Sequence, residues 1–195
     1  MTDRPTTAAV VRALFLETTF GRLWYAGAVA STMRWLESLA VGVFVFDLTG
    51  SAIMVAVFLF LRWAPLVLFG AWFGVIADRI SRKSIQFVGL AAMSATSAIL
   101  GVLIICEAAS MWHIGAGAFL SGVFTSTDYS TRRAMVGDAA GLDRVGVAMA
   151  FDTGTNNGTR MLGPALGGFL LEFMGLHGAY VLGAVFYASA AYAIL

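Results

Sequence analysis

Long apolar runs separated by short charged stretches constrain the fold of this 195-residue chain more than any other feature. Six such runs lie at roughly 20–46, 51–76, 84–106, 111–133, 146–174 and 178–195. A helix of about 20 residues crosses a hydrocarbon layer of about 30 Å, so each run is long enough to span a membrane. Lipid offers backbone groups no hydrogen-bond partners, and the alternation typical of β-barrel strands is absent, so the expected spans are helices.

The composition also indicates an all-α, multi-pass membrane protein. Hydrophobic residues make up 59% of the sequence and charged residues 12%, about half the charged share of soluble domains. Residues 1–19 lack the pattern of a cleaved signal peptide, so the first run is expected to remain as a span. The single cysteine, Cys106, excludes an internal disulfide and a cysteine-based metal cluster, and no cofactor is expected. The net charge of +1 gives no indication of a nucleic-acid partner.

Basic residues cluster on alternate sides of the runs. They precede the first run, join the second to the third and join the fourth to the fifth: Arg4, Arg12, Arg22; Arg79, Arg82, Lys83; Arg132, Arg133, Arg144. The other loops contain no lysine or arginine. The positive-inside rule therefore places the N-terminal segment and both basic loops on the cytoplasmic side, and the chain is expected in the cytoplasmic (inner) membrane.

Charged residues inside the runs are the candidates for a polar cavity, because charges within hydrocarbon usually face a bundle interior or water. They occur in the first, second, fourth and fifth runs: Arg34, Glu37, Arg62, Asp128, Asp152 and Arg160. The third and sixth runs have none. Four spans are therefore expected to surround a polar interior, which holds a proton or substrate site, while the other two lie outside it.

Two interpretations of Glu37 remain open. It could take up and release a proton beside arginines that tune it, or it could belong to a structural ion-pair network with Arg34 or Arg62. For Asp128 and Asp152, structural pairing with the neighbouring loop arginines is favoured. The excess of positive charge at the expected midplane indicates an anionic or polar substrate.

The stretch between the second and third runs is a short basic loop of a kind that many membrane proteins have. Its spacing resembles the loop between helices 2 and 3 of the major facilitator superfamily, Gly-x-x-x-Asp-Arg-x-x-Arg-Lys. The matching positions are Gly74, Asp78, Arg79, Arg82 and Lys83. Ser81 stands where many members have glycine. The resemblance implies that this loop latches one half of a transporter to the other.

The fifth run carries a second resemblance, to the helix-5 antiporter motif of the same superfamily. The motif ends Gly-Pro-x-x-Gly-Gly, and the corresponding residues here are Gly158, Gly163, Pro164, Gly167 and Gly168. Thr159 occupies a position where the motif has glycine, and Gly158 lies beside it. The alternative is close helix packing through the glycines, with a kink at Pro164 and no antiport. The wider pattern is similar to the enterobactin-exporter-like and macrolide-efflux-like branch.

The resemblance implies the N-terminal six-helix half of a twelve-helix major facilitator fold, built as a 3+3 inverted repeat. It implies a secondary transporter rather than an enzyme, with proton-coupled efflux of a drug-like or siderophore-like small molecule by alternating access. The last run ends at Leu195 without a polar cap, so a C-terminal half is expected to follow. Expected partners are lipid, a small-molecule substrate, protons, and the second half or a second chain.

Two alternatives remain. The chain could be a truncated or half-size membrane protein that does not transport alone, or an uptake symporter of the same fold. No Gly-x-x-x-x-Gly-Lys occurs, so no ATP-driven motor is expected within the chain.

Overall fold

Helices account for nearly all of the chain that the structure describes. The computed structural model describes the backbone of residues 7–77 and 80–195, and the side chains of residues 9–70, 72 and 80–195. Its helices are α1 Thr7–Leu16, α2 Thr18–Thr49, α3 Ala52–Ala77, α4 Arg82–Ile105, α5 Met111–Ala140 and α6 Val145–Ile194. No strand occurs within the described ranges, and the predicted all-α fold is confirmed.

The 50-residue helix α6 consists of two arms that meet at Gly175. At this residue φ is 64° and ψ is −177°, a combination that is essentially restricted to glycine. The sequence analysis ended the fifth run at 174 and began the sixth at 178, so it placed the turn here, and it also expected a kink at Pro164. Pro164 lies inside the first arm (residues 145–174), where the backbone keeps helical angles, and the departure occurs at Gly175. A proline removes one helical hydrogen bond, which the first arm tolerates without breaking.

Contacts with α2 show that the two arms of α6 run in opposite directions. Along the first arm, contacting residues advance together on both helices: Trp24–Thr155, Ser31–Asn156 and Trp35–Gly163. Along the second arm (residues 176–194), the order is reversed: Glu37–Gly183 and Tyr25–Ser189. The chain therefore turns back at Gly175, and α6 provides two antiparallel crossings of the bundle.

Four of the described helices are long and apolar enough to span a membrane: Thr18–Thr49, Ala52–Gly70, Arg82–Ile105 and Val145–Ile194, the last containing both arms. Helix α5 is not among them, because polar and charged residues occupy much of its length. It nevertheless packs between α3 and α4 inside the bundle. It continues to Ala140, beyond the predicted end at 133, and α1 lies in the segment that the sequence analysis left without a helix.

Glycines allow two helix pairs to approach closely. A Cβ atom added to Gly122 of α5 would overlap the carbonyl oxygen of Arg62 on α3. A Cβ atom added to Gly163 of the first arm would lie 2.7 Å from the Cβ of Trp35 on α2. The first span, α2, thus packs on the fifth span, the first arm of α6, and the second span, α3, packs on the fourth span, α5. When spans 1–3 are exchanged with spans 4–6, each of these two pairs becomes the other, as an inverted repeat requires.

Candidate functional site

Six charged side chains across four helices form two buried groups of ion pairs, Arg62 with Glu37 and Arg34 with the remaining three. A 3.4 Å hydrogen bond from Arg62 Nη2 to the backbone carbonyl of Arg34 joins the two groups, which are together called the network. The six side chains are Arg34 and Glu37 on α2, Arg62 on α3, Asp128 and Arg132 on α5, and Asp152 on the first arm of α6. None of these side chains is more than 11% exposed. Three guanidinium groups face three carboxylates, so the network is formally neutral. Such pairing is what makes charges tolerable within hydrocarbon.

Glu37 lies at one end of the network. The guanidinium of Arg62 is 3.8 Å from its Oε2. Ser97 of α4 donates a hydrogen bond of 2.5 Å to Oε1, and the hydroxyl of Tyr187 on the second arm donates one of 3.3 Å to Oε2. Of the two arginines considered for Glu37, the structure brings Arg62 to the carboxylate, while Arg34 pairs elsewhere.

Asp128 lies at the centre of the other end. Its Oδ2 is 3.8 Å from Arg34 Nη2 and 3.9 Å from Arg132 Nε, while its Oδ1 accepts a hydrogen bond from Gln86 of α4. Arg132 also pairs with Asp152, so one arginine joins two carboxylates. Within the described part of the chain, Arg34 Nη2 and Asp128 Oδ2 have no hydrogen-bond partner. The network is therefore held by ion pairs that are longer than hydrogen bonds at this point.

A cavity of 570 Å³ lies beside the network and has a cationic and aromatic wall. Helices α2, α3, α5 and the first arm of α6 line it, with charged and aromatic members Arg34, Trp35, Arg62, Trp63, Tyr129, Arg133 and Arg160. The sequence analysis placed Glu37, Asp128 and Asp152 among the cavity residues. They do not line this cavity. They are buried and paired with arginines, Glu37 with Arg62, Asp128 with Arg34 and Arg132, and Asp152 with Arg132.

Arg133 and Arg160 contribute positive charge that no carboxylate balances. Among the described residues, neither has an Asp or Glu oxygen within 4.0 Å. The guanidinium of Arg133 lies 4.8 Å from the centre of the Tyr129 ring, and that of Arg160 lies 5.7 Å from the Trp35 ring. Such cation–π contacts hold a guanidinium in place without using its N–H donors.

A second, much smaller cavity of 10 Å³ adjoins Glu37. Arg62, Ser97 and Ser121 also line it, and the buried hydroxyl of Ser121 has no hydrogen-bond partner in the described part of the protein. A space of this size and polarity fits about one water molecule. Arg62 lines both cavities, so its side chain separates the surroundings of Glu37 from the larger cavity.

The predicted latch loop is only partly within the described residues. Asp78 and Arg79 lie outside them, and Gly74 is part of α3. Arg82 Nη1 is 2.7 Å from Asp138 Oδ2 at the end of α5, in an exposed ion pair. Lys83 Nζ donates a 2.7 Å hydrogen bond to the carbonyl of Leu195. The two described basic residues thus contact the ends of other helices of this bundle.

Two glycines of the fifth-run motif serve close packing. Besides Gly163, a Cβ atom on Gly167 would lie 3.2 Å from Leu39 Cδ2 on α2. An added Cβ on Gly168 would be 3.9 Å from Leu39, and one on Gly158 would meet no atom within 4 Å among those described. The packing interpretation therefore explains Gly163 and Gly167, and it leaves Gly158 without a structural role.

Sequence reasoning missed the polar residues that α4 and the second arm contribute. Gln86, Ser97 and Tyr187 all bond to network carboxylates, although their spans carry no charge. The signal present in the sequence was a polar side chain inside an otherwise apolar run. Such a side chain needs a hydrogen-bond partner when it is buried, just as a charge needs an ion-pair partner. Arg133 was assigned to the loop, yet it lines the cavity.

An all-helical bundle with a polar, charged cavity between its spans is an arrangement that solute transporters have. The comparison with known families agrees, since the profile of the transmembrane secretion effector family matches residues 10–195. The chain therefore belongs to this family of major facilitator transporters, which are integral membrane proteins and not enzymes.

Two curated proteins are similar to the chain. An uncharacterized MFS-type transporter, YfiS, from Bacillus subtilis is 24% identical over 83% of this chain and 38% of its own length. The staphyloferrin A transporter of Staphylococcus aureus is 25% identical over 71% of this chain and 35% of its own length. The matches thus span little more than a third of either relative. No solved structure matches the chain significantly.

Proposed function

We propose that this bundle is one half of a proton-coupled exporter of small molecules that works by alternating access. Arg62 is the observation that carries the proposal, because it contacts Glu37 and also lines the 570 Å³ cavity. That volume lies within the range of about 300–1,000 Å³ typical of small-molecule sites. The basic loops favour a cytoplasmic N-terminus and the inner membrane.

Proton uptake by Glu37 would change the wall of the large cavity directly. A protonated carboxyl no longer attracts the guanidinium of Arg62 as an ion pair, so Arg62 becomes available to the cavity that it lines. A substrate that binds these two forms of the wall with different affinities changes the proton affinity of Glu37, and protonation of Glu37 changes the affinity for the substrate. The coupling needs only this one shared side chain.

The hydroxyl groups around Glu37 support the same proposal. Ser97 and Tyr187 present hydroxyl groups to the carboxylate, and the 10 Å³ cavity places Ser121 nearby. A hydroxyl both donates and accepts, so a chain of hydroxyl groups with one water can pass a proton. The resemblance of Gly163, Pro164, Gly167 and Gly168 to the antiporter motif favours export over uptake.

Proteoliposomes that contain the full native protein would test the coupling. The vesicles are loaded with rhodamine 6G as a cationic probe or carboxyfluorescein as an anionic one, and dye movement is followed with and without a pH gradient. We expect the gradient to accelerate the movement of at least one dye, and Glu37→Gln to abolish the acceleration. Glu172→Gln, which changes an exposed carboxylate outside the network, is the matched control.

Three results of the vesicle assay would contradict parts of this proposal. Gradient-driven transport that survives Glu37→Gln at the normal rate would remove Glu37 from the mechanism and leave it as a structural ion-pair partner. Dye accumulation with, rather than against, the direction of proton flow would favour the uptake symporter. A protein that moves neither dye, with or without the gradient, would contradict the proposal as a whole and favour a membrane protein that does not transport alone.

A second six-helix half is part of the proposal, because the matches reach only 38% and 35% of the lengths of the two relatives. Tagging the N-terminus at the native locus and separating the product on a denaturing gel tests how that half is supplied. A band near twice 20.6 kDa would support a single chain with both halves. A band at 20.6 kDa would contradict the single chain and require a second chain as partner.

A further inference from the structure

We propose that the 570 Å³ cavity binds an organic polyanion, with two or more oxyanion groups seated on Arg133 and Arg160. The inference rests on the proposed transport function and names its substrate class. It follows from an imbalance of charge in the part of the chain that the structure describes. Four arginines line the cavity, and carboxylates are paired with two of them, Arg34 and Arg62, but not with Arg133 or Arg160.

The two remaining guanidinium groups are placed to bind a ligand. The guanidinium of Arg160 lies over the Trp35 ring and that of Arg133 over the Tyr129 ring, in contacts that use no N–H donor. A guanidinium edge matches a carboxylate with two parallel hydrogen bonds. Only one protein bond occupies these donors in the described residues, from Arg133 to Thr153 at 3.3 Å.

A buried donor without a hydrogen-bond partner belongs to the wall of the cavity. Arg133 Nε is buried and has no hydrogen-bond partner among the described residues. Buried polar groups of proteins are normally satisfied, and a charged donor left without a partner is costly. The hydroxyl of Thr125 in the same wall is also unpartnered. An oxyanion ligand would satisfy these groups, whereas a cation or an apolar molecule would leave them unpaired.

The aromatic side chains add a second requirement on the ligand. Trp35, Trp63 and Tyr129 give the cavity flat apolar surfaces beside the guanidinium groups. A ligand with a planar ring between its oxyanion groups would contact both kinds of surface. Carboxylates and sulfonates share the chemistry that the arginines recognise, and the planar carboxylate fits the guanidinium edge better.

Calorimetric titration of the purified protein tests the ligand class with four ring compounds of matched size. The probes are benzene-1,3-dicarboxylate, benzene-1,3-disulfonate, the neutral benzene-1,3-dicarboxamide and the dication of 1,3-bis(aminomethyl)benzene. We expect the dicarboxylate to bind most tightly, the disulfonate more weakly, and the other two not at all. Binding of the dicarboxylate should weaken as the salt concentration rises. Equal binding of the neutral amide would overturn the proposal.

Variants locate the site. Arg160→Gln and Arg133→Gln should each weaken dicarboxylate binding about tenfold or more, because each removes a charge-assisted pair. Arg22→Gln removes the same charge from an exposed position outside the cavity and should leave binding unchanged. If the two arginine variants bind the dicarboxylate as tightly as the unmodified protein does, the site is refuted. The comparison of the four probes uses the unmodified protein, so it tests the ligand class even if a variant fails to fold.

The vesicle assay separates this inference from the transport proposal. Gradient-driven movement of rhodamine 6G without carboxyfluorescein would leave the transport function standing and refute the polyanion class. Binding of the dicarboxylate without gradient-dependent transport of either dye would support the site and contradict proton-coupled export.

Discussion

Gly122→Ala tests the closest helix contact of the bundle, between α5 and α3. The added Cβ would overlap the carbonyl oxygen of Arg62 and lie 3.0 Å from Pro65 Cγ. A backbone carbonyl cannot rotate away as a side chain can, so the helices must separate. Overpacking costs about 1–3 kcal/mol, and the rigid obstacle places this substitution near about 3 kcal/mol. Alanine in a helix recovers about 1 kcal/mol relative to glycine.

The expected net loss is about 2 kcal/mol of unfolding free energy, or about 4–8 °C in Tm for a chain of this size. Thermal unfolding of the purified protein in detergent, followed by tryptophan fluorescence, measures it. Gly89→Ala on α4 is the matched control, because its Cβ would meet no described atom within 4 Å. This control should raise the Tm by a few degrees at most. A Gly122→Ala protein as stable as the Gly89→Ala protein would refute the reasoning.

Three further predictions concern other parts of the molecule. Arg132→Met should cost about 3–5 kcal/mol in an unfolding titration, because it leaves the buried carboxylate of Asp152 without its arginine partner. Adding Asp152→Asn should restore most of the loss, because Asp128 keeps its pairing with Arg34, and no restoration would contradict the pairing of Arg132 with Asp152. Gly175→Ala should cost about 1–3 kcal/mol because φ is 64° there, and a Tm equal to that of the unmodified protein would contradict this strain. Asp78→Asn should leave the Tm unchanged and alter the rate of dye transport, whereas normal transport would contradict a latch.

The sequence was sufficient to predict which helices surround the cavity. Arg34, Arg62 and Arg160 lie inside apolar runs where their cost must be offset, and the structure brings all three to one cavity. Their partners were not predictable, because pairing depends on helix rotation. Arg34 and Glu37 were a possible ion pair within one helix, yet Arg34 reaches Asp128 while Glu37 reaches Arg62.

The turn between the last two spans shows a different limit of sequence reasoning. The chain reverses at Gly175, inside the gap of 174–178 that the sequence analysis left between the fifth and sixth runs. The additional break expected at Pro164 is absent, because a helix can lose the one hydrogen bond that proline removes and keep its angles. The run boundaries did not reveal that a single residue with positive φ makes the whole reversal, with helical angles on both sides of it.

The reversal at Gly175 makes the two arms of α6 a single lever. Arg160 stands on the first arm at the large cavity, and Tyr187 stands on the second arm at Glu37. No slack loop lies between the arms to absorb a displacement, because only one residue departs from helical angles. We expect a ligand that displaces Arg160 to displace the second arm as well, and with it the Tyr187 hydroxyl at Glu37. Such a corner would give the bundle a mechanical connection between its two proposed sites, in addition to the proposed electrostatic one through Arg62.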